Sequence, residues 1–117
     1  MQIPQLQHCD YSSYISDKLN ALSSVYNYAC SLLKINGWTQ HGILWVRPGK
    51  EFKDGHSAVF TFYGPYGIYL FTNYTSSVSQ FSPGKSYALC HLISILGYND
   101  DLARCLADLQ FLFKDNI

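Results

Sequence analysis

Charge is scarce in this chain of 117 residues: Asp, Glu, Lys and Arg make up 14%, and eight bases cancel eight acids. No global field draws the protein towards nucleic acid or an acidic membrane, so an electrostatic partner must be met by a local patch. Long apolar runs are missing as well. None approaches the ~20 residues that span a bilayer. Met1 leads into Gln2, Gln5 and Gln7 rather than a basic and then apolar leader, which argues against secretion and membrane insertion.

Metal-binding spacing is also absent. Cys9, Cys30, Cys90 and Cys105 lie far apart, with no C-x-x-C and no H-x-x-x-H pair, so a structural zinc is not expected and no cofactor is implied. Neighbours on a helix point about 100° apart, so Cys90 and His91 are poorly placed to share one ion. Cys30, Cys90 and Cys105 sit beside Leu and Ala in helical patterns, where a free thiol acts as a small hydrophobe. Scattered thiols of this kind point to a reducing, cytoplasmic compartment.

Catalytic motifs fare no better. Gly49-Lys50 follows Arg47-Pro48 and precedes Glu51, so it is not a phosphate-binding G-x-x-x-x-G-K-[ST] loop. There is no G-x-S-x-G and no pair of strand carboxylates. Cys90-His91 supplies a thiol and a base but no orienting third group. A small thiol or metal enzyme built on that pair is the least favoured reading; the chain reads as a non-enzyme.

What the chain does have is apolar bulk, 48% of residues, with 16% aromatic. At this length that suits one domain over residues 1–117 with one core. Ser23 or Ser24 is expected to cap a helix in which Val25, Tyr28, Ala29, Leu32 and Leu33 form the apolar stripe. Gly37 should end it, and a helical turn or two is expected across Ile15 to Leu22. Segments 43–46, 58–63 and 68–72 are rich in β-branched and aromatic residues and read as strands. Gly64-Pro65-Tyr66-Gly67 joins the last two as an antiparallel hairpin. Ser82-Pro83 then reads as N-cap and first residue of a helix to about 96. Asn99 reads as the cap of another at 100–113, with Leu102, Leu106, Leu109 and Leu112 or Phe113 inward. The expectation is an α+β fold: a short antiparallel sheet with an N-terminal helix and a C-terminal helical hairpin. Ile117 closes the chain without a linker or stop signal, as a fragment or subunit of a longer protein would.

One loop concentrates charge. Arg47, Lys50, Lys53 and His56 lie between the first two strands. Cations near rings such as Tyr63, Tyr66, Tyr69, Phe71 and Tyr74 are the ingredients of single-stranded nucleic-acid binding. On composition alone a solvated loop beside a tyrosine-rich core explains it as well.

The order of short motifs adds to this. Gly37-Trp38 precedes Trp45-x-Arg47-Pro48-Gly49-Lys50, then Gly55-His56-Ser57-Ala58, Leu70-Phe71-Thr72, Ser82-Pro83, Tyr87-Ala88 and Asn99-Asp100-Asp101-Leu102-Ala103. This resembles the N-terminal region of phage and mobile-element primase–helicase proteins over roughly residues 25 to 110. That region is similar to the zinc-ribbon domain that opens bacterial primases, in which a hairpin carries the metal and binds template DNA. Here Leu70-Phe71-Thr72-Asn73-Tyr74 stands where a C-x-x-C knuckle is expected, so the resemblance implies a ribbon-like domain without zinc. It implies a non-catalytic domain for DNA replication or priming that binds single-stranded DNA beside a polymerase, primase or helicase. On that reading Arg47, Lys50 and Lys53 meet phosphates, with Lys85 added near a helix start. His56 and Ser57 hydrogen-bond, and Phe71 and Tyr74 stack on bases. The alternative is a protein-interaction module that docks on such a partner through its tyrosine-rich hairpin without touching DNA.

Overall fold

The computed structural model describes residues 15–63, 67–74 and 80–116. Residues 1–14, with His8 and Cys9, and the expected turn at 64–66, with Tyr66, lie outside them. Two helices open the described chain: α1 at residues 15–20 and α2 at Ser23–Ile35, which buries Val25, Ala29, Cys30 and Leu33. Leu22 is the N-cap of α2 and bonds nothing through its side chain; the serines expected to cap it lie inside the first turn. At the far end Gly37 N–H reaches Lys34 O and Trp38 N–H reaches Leu33 O, both at 3.0 Å. This double closure needs a left-handed residue, and Gly37 supplies it with φ +95°. A Cβ on Gly37 would stand 3.2 Å from Pro48 Cγ, so the Gly-Trp and Arg-Pro-Gly-Lys motifs meet at this glycine.

Five strands follow as an antiparallel meander in sequence order: β1 Thr39–His41, β2 Leu44–Val46, β3 Ala58–Tyr63, β4 Ile68–Asn73 and β5 Lys85–Ala88. The three expected strands are present, and β3 pairs with β4 from Ala58↔Asn73 to Tyr63↔Ile68. Two strands are additions. β1 pairs with β2 around a two-residue turn whose first position is Gly42, at φ +67°. β5 replaces the first turn of the helix expected from Pro83. Pro83 and Gly84 occupy the centre of a tight turn, with Gly84 at φ +75° and Lys85 N–H on Ser82 O at 3.4 Å. Pro then Gly with φ > 0 is the chemistry of a type II turn, not of a helix start. The chain leaves it extended along β4.

Helix α3 is confined to Leu89–Gly97. Ala88, its N-cap, has no capping side chain; Asn20 Oδ1 accepts the Cys90 N–H at 2.8 Å instead. Helix α4, Leu102–Leu112, is capped by Asp101, which accepts from Arg104 N–H at 3.2 Å. Asn99, the expected cap, lies in the preceding turn, where it and Asp100 adopt φ of 51° and 64°. The inward line of α4 is Cys105 and Leu109, whereas Leu102 and Leu112 are exposed.

Side chains alternate across a strand, so the register puts Trp45, Ala58, Phe60, Phe71, Asn73 and Tyr87 on one side of the sheet. All six are buried. There Phe71 meets Trp38, Phe60 and Phe81 at ring separations of 5.5, 5.0 and 5.3 Å. The opposite side carries Leu44, Val59, Thr61, Leu70, Thr72 and Ala88, which are half-buried, and Val46, which is buried. The architecture is α+β, with its core between one sheet face and the helices. No helix among the described residues is long and apolar enough to cross a membrane.

Candidate nucleic-acid interface

The β2–β3 loop, the end of β4 and the start of β5 come together at one end of the sheet. Ser57 organises this end through three bonds. Its N–H donates to Trp45 O at 2.7 Å, and its hydroxyl oxygen accepts from Arg47 N–H at 3.0 Å. Its carbonyl accepts from Tyr74 N–H at 2.9 Å. The mouth of the loop is thereby closed and Tyr74 is fixed beside it. Ser57 is 1% exposed, which corrects its expected role: the hydrogen bond of its hydroxyl goes to the Arg47 backbone, and a side chain so buried has none to offer a bound strand. Phe71 is corrected too. It is fully buried among three rings and has no free face for a base.

The other expected residues reach solvent. Lys53, His56 and Lys85 are exposed, Arg47 and Lys50 half-buried. Tyr74 is 58% exposed, with the His56 ring edge-on to it at 6.0 Å and 83°. Lys85 lies opposite Asn73 in the register and so flanks Tyr74. Arg47 Nη1 turns back to Pro48 O at 3.4 Å. Lys53 Nζ lies 3.4 Å from Glu51 Oε2, so a carboxylate offsets one of the three loop cations. Among the described residues, neither Lys50 nor Lys85 pairs with a carboxylate.

A feature of this loop not expected from the sequence is a flat stack of Phe52 on His41, with centroids 4.1 Å apart and planes 16° apart. Phe52 opens a 3₁₀ turn at Phe52–Asp54, and His41 ends β1, on the side of the sheet that carries Leu44 and Val46. The only sequence signal was an aromatic residue set among charges; its partner is 11 positions away on a strand the sequence did not declare.

At the Cys90–His91 pair the thiol is buried, 1% exposed. Burial pushes the Cys90 thiol up to about 12, with Cys105 adding to the effect, and a protonated thiol is not nucleophilic. His91 Nε2 faces Asp100 Oδ1 at 3.5 Å. Cys30, Cys90 and Cys105 are free and buried, and no group of three or more His, Cys, Asp or Glu side chains among the described residues could hold a metal. Compared with protein-family models, curated proteins and solved structures, the chain matches none.

Proposed function

We propose that this domain binds single-stranded DNA at the loop end of its sheet, as a zinc-free, non-catalytic relative of the primase zinc ribbon. It would serve replication or priming of a phage or other mobile element, beside a polymerase, primase or helicase in the cytoplasm. The observation that supports this is the Ser57 anchor, which ties the Arg47 end of the cationic loop to the backbone beside the exposed Tyr74 ring, with Lys85 on the adjoining strand. Phosphates and bases alternate along a strand, and a site that alternates cations with rings answers both.

The test is a salt titration of oligothymidylate binding by the wild type and the Arg47→Ala/Lys50→Ala/Lys53→Ala variant. The expected result is weaker binding by the variant, with the dependence on salt flatter by roughly one unit of slope per lost contact. No binding by wild type at low salt, or identical slopes, defeats the proposal. A second reading is then favoured by the half-buried apolar side of the sheet, with Leu44, Val59, Leu70 and Ala88: docking on a replication protein without contact to DNA.

A further inference from the structure

We infer that the Phe52–His41 stack is a second base-binding platform, so that the interface takes a single strand with one base on Phe52, another on Tyr74 and the phosphates between them on the loop cations. The inference rests on the DNA-binding reading above and extends it to residues that reading did not include. Phe52 is 46% exposed although it is pressed flat on His41. One ring face is occupied by the imidazole and close to half of the residue still meets water, so the ring has apolar area left to offer a base. The imidazole fixes the orientation of the phenyl ring in advance, so a base that settles on its free face immobilises little that is not already immobile.

The placement of charge fits the same occupant. Lys50, which pairs with no carboxylate among the described residues, lies two positions before Phe52, so the phosphate on that side of a base stacked there would find a cation, while Lys53, one position after it, would have to exchange Glu51 for a phosphate. Phe52 and His56, the partner of Tyr74, are four residues apart and hence within about 14 Å along the chain, a span of a few nucleotides. A peptide would use the ring but leave the cations unanswered. An isolated phosphate would use the cations but not the ring.

The experiment measures binding of a fluorescein-labelled oligothymidylate, and of an abasic strand of equal length, to wild type, Phe52→Leu and Phe52→Trp. With Phe52→Leu, affinity for oligothymidylate is expected to fall about five- to a hundredfold, the loss typical of one stacked base. Its salt slope and its affinity for the abasic strand should stay those of wild type. The Phe52→Trp protein should bind at least as well as wild type, and its added exposed indole should be quenched by oligothymidylate but not by the abasic strand. That readout stands even where the leucine variant folds poorly. The inference is overturned if wild type binds with a steep salt slope while Phe52→Leu binds equally well, or if the new indole is not quenched. If wild type binds neither strand, the DNA-binding reading fails and this platform falls with it.

Discussion

The carboxamide oxygen of Asn20 accepts the backbone N–H of Cys90 at 2.8 Å, across 70 positions of chain. Helix α1 thus provides the cap that the first turn of α3 lacks in its own sequence. Asn20 is nearly buried, and its Nδ2 donates to Ser16 Oγ at 3.2 Å, so water cannot easily replace it.

Replacing Asn20 with Leu, which keeps the volume and removes the acceptor, should destabilise the fold by about 1–3 kcal/mol, because the N–H at the start of α3 is left buried and unpaired. Urea unfolding of wild type and variant measures this directly. An unchanged midpoint would mean that α3 begins without help from α1.

Alkaline pH should unfold the protein through its thiols. Burial raises Cys90 and Cys105 each to about 12 from the ordinary value of 9.0. In the window between these values the folded state keeps protons that the unfolded chain has released, so stability falls as pH rises. The contribution is fully present below about pH 9 and declines above it, by at most about 1.4 kcal/mol per pH unit for each thiol. Tyr26, also raised to about 12 by burial, acts in the same direction from about pH 10. Urea midpoints taken at intervals from pH 8 to 11 should decline, and Cys90→Ala should flatten the decline.

Phe71 and Tyr74 should separate cleanly, although both are aromatic and only three positions apart. Phe71→Ala empties a site among Trp38, Phe60 and Phe81 and should cost about 3–5 kcal/mol of stability. Tyr74→Ala removes an exposed ring and should leave stability within about 0.5 kcal/mol while oligothymidylate affinity falls. Thermal melting and binding on the same two proteins give both readings.

Local pattern made most of the architecture legible. The stripe from Val25 to Leu33 and the β-rich runs 58–63 and 68–72 announced α2, β3 and β4, because one face of each is buried and the period follows. β5 was hidden because Ser82-Pro83-Gly84 satisfies two local rules, helix start and type II turn, and only pairing with β4 decides between them. β1 is three residues long with no buried side chain, so it leaves no periodic trace. In the candidate site, the exposed cations and Tyr74 were legible as charge and ring in a loop. Phe71 was misplaced because which face of a strand points inward depends on register, and a shift of one residue exchanges core for surface; Ser57 lies just before β3, beside the equally buried Ala58, and is turned inward by its bonds to the Trp45, Arg47 and Tyr74 backbone. The Phe52–His41 stack joins residues from different elements, which no local window contains.

Ser57→Ala gives the sharpest test of how the site is held together. Ser57 makes no contact with a ligand in the proposed arrangement; its hydroxyl only accepts the Arg47 N–H at 3.0 Å from a buried position. Removing it leaves that N–H unpaired at the loop mouth and should cost about 1–3 kcal/mol. The Arg47–Lys53 segment is then freed to move relative to Tyr74, whose own bond is to the Ser57 carbonyl and survives the substitution. Affinity for oligothymidylate should therefore fall although every cation and ring is still present. The slope of affinity against salt should stay that of wild type, because no phosphate contact is deleted. Loss of slope would show that the freed segment no longer holds its cations on the phosphates. Unchanged affinity in a destabilised variant would show that the loop does not need its anchor to bind, and that cations and ring act independently.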